Sequence, residues 1–316
     1  MRHSKLATCI VTLATLILVS SHAEEVVATK SATPSIFARE NLAAWCIVPF
    51  DSKKRGPEER AAMLEKLGFK HFAYDWRAEH VPTFEAEIQA LQKHGIEYFA
   101  FWGSHEEAFK LFEKYNLKPQ IWTMLPVAPA TVTNPEERIK FSVEHILPLV
   151  ERTKKLGCPL AFYNHGGWGG EPENMIAVAK RLRDEHGAAH VGIVYNLHHG
   201  HEHLDRFPAA LAAMKPYLLC LNINGMTKNG DKAGNKIMPL GQGDLDLELL
   251  KTIRDSGYTG RIGILNHTGE DAEARLQDNL DGLDWLTAQL DGKPAGPKPQ
   301  PRSWKAPAAP STPKAQ

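Results

Sequence analysis

A chain of 316 residues with 43% hydrophobic and 23% charged side chains, 24 glycines and 21 prolines belongs to a globular protein, and the composition excludes collagen-like, fibrous and wholly disordered classes. The formal charge of zero hides a partition, because Arg2 and Lys5 at one end and Lys293, Lys298, Arg302, Lys305 and Lys314 at the other leave residues 24–291 with 30 basic against 37 acidic side chains. A body of net charge −7 is a poor match for a phosphate backbone, so no nucleic-acid partner is expected.

In chain order, Arg2, His3 and Lys5 precede an apolar run from Leu6 to Val19, and Ser21-His22-Ala23 follows with small residues suited to cleavage after Ala23. Residues 1–23 therefore read as a signal peptide. The protein is expected to be exported, periplasmic or extracellular. The run is 14 residues long, short of the roughly 20 a spanning helix needs, so no stable membrane insertion is expected after cleavage. Residues 24–36 lack apolar periodicity and read as a flexible leader. Three cysteines remain, Cys46, Cys158 and Cys220, an odd number in apolar surroundings that points to buried thiols.

From there short apolar runs alternate with amphipathic stretches. The strands are expected at Leu42–Pro49, His71–Asp75, Glu97–Trp102, Gln120–Leu125, Leu160–Asn164, Val191–Asn196, Leu218–Asn222 and Arg261–Asn266. Between them, helices are expected at Pro57–Leu67, Thr83–His94, Pro135–Leu156, Glu173–Glu185 and Asp246–Ser256, most followed by a stop glycine. Eight such units predict a single (β/α)8 TIM barrel over residues 37–291. No G-x-G-x-x-G follows the first strand, which leaves no place for a nucleotide cofactor. Residues 292–316 hold seven prolines and almost no large apolar side chain, and read as a disordered tail.

In a barrel of this class the chemistry sits at the carboxyl ends of the strands. Four strands in succession end in asparagine: Asn164, Asn196, Asn222 and Asn266. One reading is turn-forming caps; the other is a polar ring for hydroxyl-rich ligands, because each amide offers a donor and an acceptor. Six histidines gather at the same end: His165, His198, His199, His201, His203 and His267. Imidazole can move protons or bind metal, so His165 and His199 are candidate catalytic groups, and His165, His199 and His267 are candidate metal ligands. Asp75 and Glu171 supply carboxylates to the catalytic set. Arg77, Trp102 and Trp168 join the candidate substrate contacts, the indoles as platforms for a sugar ring.

Pro239-Leu240-Gly241-Gln242-Gly243-Asp244-Leu245-Asp246, then Gly257-Tyr258-Thr259-Gly260 ahead of the last strand, together with Val194-Tyr195-Asn196-Leu197-His198-His199, resemble the xylose isomerase-like barrel superfamily. The resemblance spans residues 42–290 and implies proton transfer on a sugar. It also implies a divalent metal held by Glu, Asp, His and Glu at the ends of strands five to eight. Here those places hold Asn164, Asn196, Asn222 and Asn266, so a hard cation loses its charge compensation. The cofactor question is thus one divalent metal ion of unknown identity, held by histidines, or none.

The leading expectation is an exported carbohydrate-active enzyme of the isomerase or epimerase class, with a small carbohydrate as partner. A keto-sugar glycoside lyase or hydrolase on the same barrel, and a non-catalytic sugar-binding barrel, are the alternatives. A histidine-centred mechanism predicts that activity falls as pH drops through about 6.5.

Overall fold

In this computed structural model, residues 35–302 are described together with Met1 and Trp304. The expected signal peptide and nearly all of the leader lie outside the described residues.

The chain alternates strand and helix throughout. The strands are β1 (Leu42–Trp45), β2 (His71–Tyr74), β3 (Glu97–Trp102), β4 (Gln120–Thr123), β5 (Leu160–Tyr163), β6 (Val191–Asn196), β7 (Leu218–Ile223) and β8 (Arg261–Leu265). The helices are α1 (Pro57–Lys66), α2 (Phe84–Lys93), α3 (Glu106–Lys114), α4 (Pro135–Leu156), a single turn α5 (Gly167–Gly170), α6 (Pro172–His186), α7 (Phe207–Met214), α8 (Asp246–Asp255) and α9 (Ala272–Leu290). All eight strands pair in parallel in sequence order, and β1 closes on β8 with Leu42 opposite Ile262 and Trp45 opposite Leu265. This is the expected (β/α)8 barrel. Parallel strands buried on both faces explain the near-continuous apolar runs.

Local chemistry sets the boundaries. In α4 the Asn134 side chain accepts from the N–H groups of Glu136 and Glu137 at 2.9 and 3.2 Å, Pro135 occupies the first turn, and Gly157 ends the helix at φ +70°. The expected first strand overshoots by four residues because Cys46 takes φ +59° and turns the chain out of the sheet directly after Trp45. The strand-ending residues Asp75, Asn164 and Asn266 likewise fall just past β2, β5 and β8.

Two apolar layers result. Outside the sheet, side chains such as Phe72, Phe162, Ile193 and Ile264 meet the helices. Inside it, Trp45, Phe99, Trp122 and Tyr163 fill the barrel, with the rings of Trp45 and Trp122 4.8 Å apart and those of Trp102 and Tyr163 4.7 Å apart. The three cysteines are free and buried. Among the described residues no helix is long and apolar enough to cross a membrane.

The carboxy-terminal segment departs from the expected disorder as far as Arg302. Its order comes from polar contacts, a signal that apolar periodicity does not carry. Arg302 N–H donates to both oxygens of Asp278 at 2.9 and 3.0 Å, and its guanidinium reaches Asp278 and Asp281 at 3.0 and 2.7 Å. Gln242 donates to the Pro299 carbonyl at 2.9 Å. Truncation after residue 291 is expected to leave the barrel folded but to cost on the order of 1–2 kcal/mol, read as a lower urea midpoint. An unchanged midpoint would show that these contacts contribute nothing.

Candidate active site

A cavity opens at the carboxyl ends of the strands, lined by Trp45, Cys46, Phe50, Asp75, Arg77, Trp102, Tyr163, His165, His199 and His267. Six of the eight strands or the loops after them contribute, as the fold requires. The aromatic filling of the barrel forms the floor and the histidines form one wall.

Asp75 sits one residue beyond β2 and is 2% exposed. Its Oδ1 accepts from the Val48 N–H at 3.2 Å, and its Oδ2 has no hydrogen-bond partner. Burial pushes its pKa up to about 6, against the opposing pull of the Val48 N–H and the Arg77 charge. The Cys46 thiol beside it is pushed well up by burial and then by the Asp75 charge, so it stays protonated.

The imidazoles form a contiguous group. The ring centroids of His165 and His199 are 4.4 Å apart, those of His198 and His199 3.8 Å, and those of His198 and His267 6.0 Å. Burial, then the neighbouring His165 and Lys236, hold His199 down to about 3; burial, then Arg77 and Lys236, hold His267 down to about 4. Both rings are neutral at pH 7. His198 is 2% exposed, neither ring nitrogen has a partner, and burial drives its pKa well down.

The structure gathers Asp75, Arg77, Trp102, His165, His199 and His267 from the candidates named by sequence. Others stand elsewhere. Glu171 is engaged away from the cavity, its Oε2 accepting from Arg206 at 2.6 Å and its Oε1 lying 3.4 Å from His203. Trp168 lies under the Arg138 guanidinium at 4.9 Å. Cavity residues that the sequence reading did not place there are Trp45, Cys46, Phe50 and Tyr163. Trp45 and Tyr163 each end a strand, so the strand-end argument could have found them.

The four asparagines do not line the cavity, and each is at most 1% exposed. The Asn164 side chain acts as an additional rung of the sheet: its Oδ1 accepts from the Asn196 N–H at 2.7 Å and its Nδ2 donates to the Asn196 carbonyl at 3.1 Å. Asn196 Nδ2 also donates to Asn164 Oδ1 at 3.1 Å, and Asn222 Nδ2 donates to Asn196 Oδ1 at 2.7 Å. Three members of the expected hydroxyl-binding ring, Asn164, Asn196 and Asn222, therefore form an amide chain in the barrel wall. Only Asn266 leaves both side-chain atoms without a partner.

That chain also decides how the family's metal would fit. The oxygens of Asn164 and Asn196 are neutral and already accept N–H groups, and a hard cation needs anionic or free oxygens. The expected histidine set fares no better, because among the described residues no group of three or more His, Cys, Asp or Glu is arranged to hold a metal ion. The residues present do not fit the metal.

The motif Gly241-Gln242-Gly243-Asp244-Leu245-Asp246 has a structural explanation. Asp246, 1% exposed, accepts from the N–H groups of Met226, Gly241 and Gly243 at 2.6, 2.7 and 3.0 Å, tying the loop after β7 to the start of α8. Burial raises its pKa to about 7 against those three donors. A Cβ on Gly243 would fall 2.2 Å from the Met226 carbonyl oxygen, so only glycine fits there.

With fold and site in view, the chain belongs to the xylose isomerase-like TIM barrel family, whose model matches residues 61–289. Among solved structures it is similar to the 3-keto-D-glucoside 4-epimerase YcjR from E. coli, at 17% identity and TM-score 0.58, covering 79% of this chain and 99% of that one. It is also similar to D-psicose 3-epimerase from Clostridium cellulolyticum H10, solved with D-tagatose, at 12% identity and TM-score 0.56, covering 79% and 99% of the two chains. The IolI protein, solved with a bound zinc atom, is similar at 14% identity and TM-score 0.57, covering 79% and 97%. No curated protein matches the sequence.

Proposed function

We propose that the protein is a sugar isomerase or epimerase that moves a proton on the carbon next to a carbonyl, working with a carboxylate and imidazoles at the mouth of the barrel. The observation that carries this reading is Asp75, whose carboxyl has one unpartnered oxygen, a pKa of about 6, and a place in the same cavity as His165 and His199. A base poised near neutrality is what α-proton abstraction asks for. Two of the similar structures are of sugar epimerases, which supports the same class.

In this mechanism the Asp75 carboxylate takes the α-proton, and the electron pair of that C–H bond forms the enediolate double bond. Neutral His199, with His165 beside it, donates an N–H to the developing oxyanion. Return of that proton from Asp75 to the neighbouring carbon, with the hydroxyl proton of that carbon passing to the former carbonyl oxygen through neutral His199, gives an isomer; delivery of a proton from a water molecule on the opposite face, with Asp75 returning its proton to the hydroxide left behind, gives an epimer. Trp102 and Trp45 supply apolar ring faces, and Arg77 holds the substrate at the rim. Export through the amino-terminal signal is part of the proposal.

The test is solvent exchange. The protein incubated in D2O with ketoses, aldoses and 3-keto-glycosides is expected to place deuterium on the carbon next to the carbonyl, observed by NMR and unaffected by EDTA. No incorporation from any of them would favour a binding barrel, and release of a second sugar from the glycosides would favour the lyase or hydrolase.

A further inference from the structure

We infer that Asn164 is a positioning residue for the imidazoles that face the oxyanion: its buried side chain ties the turn carrying His199 to the strand end carrying His165 and fixes the spacing of the two rings. This rests on the isomerase reading above and names a residue on which that reaction depends without its touching the substrate.

The backbone ladder between β5 and β6 stops at Tyr163 opposite Val194, two residues short of the end of β6. Beyond that point the β5 chain leaves the sheet, because Gly166 takes φ +81° and opens the turn α5. On that side Asn196 would keep a buried N–H and a buried carbonyl with nothing opposite. The Asn164 side chain closes the gap alone, Oδ1 accepting from the Asn196 N–H at 2.7 Å and Nδ2 donating to the Asn196 carbonyl at 3.1 Å. One planar amide that holds both backbone groups of a residue leaves that residue a single orientation.

Each end of this clamp carries an imidazole. His165 follows Asn164 directly, and Asn196 leads into the 3-10 turn Leu197–His199, closed by the Gly200 N–H on the Leu197 carbonyl at 2.8 Å. The two rings then stand in the cavity with centroids 4.4 Å apart. The clamp is braced from behind. Asn222 Nδ2 donates to Asn196 Oδ1 at 2.7 Å, the Cys220 thiol donates to Asn222 Oδ1 at 3.5 Å, and Gly263 on β8 leaves the room, since a Cβ there would fall 1.7 Å from the same oxygen.

These three amides are at most 1% exposed, and apolar side chains would fill the wall with no polar group to satisfy. What a connected buried network adds is one geometry. Its oxygens are engaged where the family resemblance places a cation, so orienting the proton-transfer groups falls here to hydrogen bonds in the wall. A donor set in place before charge develops loses nothing to reorganisation when the oxyanion forms.

Two readouts of the full-length protein test this, one of them without turnover. With histidine ring carbons labelled, and His165 and His199 assigned from their Gln variants, the parent is expected to show a nuclear Overhauser contact between the two rings and Asn164→Ala to lose it. In deuterium exchange at varied sugar concentration, Asn164→Ala is expected to lower kcat by about 10²-fold with KM changed by less than about threefold, because the misplaced donor acts in the transition state. A clamp of purely structural worth lowers the unfolding midpoint and leaves kcat per folded molecule alone. Asn164→Asp keeps an acceptor for the Asn196 N–H but sets its second oxygen against the Asn196 carbonyl, and it carries the same two expectations if the alanine variant fails to fold. An unchanged ring contact, or a kcat held within about threefold in a folded variant, overturns the inference while leaving the isomerase standing. A parent that exchanges deuterium on no sugar removes the isomerase reading, and the ring contact alone then decides whether Asn164 positions the imidazoles.

Discussion

Asp75→Asn is expected to lower turnover by about 10²–10⁴-fold while making the protein more stable. The amide keeps an oxygen for the Val48 N–H and removes a charge that the fold holds at a cost. Because the folded pKa of about 6 lies above the ordinary carboxylate value of 3.8, Asp75 detracts from stability increasingly as pH rises between those values. Two units correspond to a gain on the order of 3 kcal/mol at pH 7 in the variant. A residue retained for structure loses stability on replacement, so a drop in thermal midpoint with activity intact would refute the catalytic role.

The pH profile follows with its sign. A base must be ionised, so turnover falls as pH drops through about 6 and holds above it. The imidazole expectation of about 6.5 does not hold for His199 and His267, because His199 stays neutral down to about 3 and His267 down to about 4. His199→Gln is expected to lose turnover while keeping the acid limb at the same pH. A limb that vanishes in His199→Gln would return the titration to imidazole.

The same substitution at another buried aspartate is expected to act in the opposite direction. Asp246 also has a raised pKa, about 7, yet its two oxygens receive three backbone N–H groups. In Asp246→Asn one oxygen becomes an NH2 group facing donors, and in Asp246→Ala all three N–H groups lose their acceptor. With each buried unmet group costing about 1–3 kcal/mol, Asp246→Ala is expected to lose at least about 3 kcal/mol, with Asn offering only partial rescue. Denaturant unfolding of both variants checks this, and a midpoint within error of the parent for Asp246→Ala would refute the anchoring role.

The difference between these two aspartates shows what the sequence can and cannot carry. Strand-helix alternation made the barrel legible, because parallel pairing forces that pattern on the chain. The strand-end rule brought Asp75, Arg77, Trp102, His165, His199 and His267 to one cavity in advance. It failed for the asparagines, since residue type does not say whether an amide faces ligand or its neighbour across the sheet. Asn164 pairs with the backbone of Asn196, a contact between residues 32 apart that no local pattern encodes. Glu171 was misplaced for a similar reason, because Arg206, also remote in sequence, draws it aside. The order of Arg302 on Asp278 escaped because composition registers missing apolar surface and overlooks a few well-placed polar contacts.

The aromatic floor of the cavity gives the protein its own optical reporter. The Trp45 ring lies 4.8 Å from Trp122 and 6.1 Å from Trp102, and both Trp45 and Trp102 line the space a ligand would enter. Indole emission depends on the polarity of its surroundings, so a ligand that displaces water from these rings changes the emission of the unlabelled protein. Replacing Trp102 by Phe would separate its share of that signal from the contribution of Trp45, turning the packing of the barrel interior into a direct readout of occupancy.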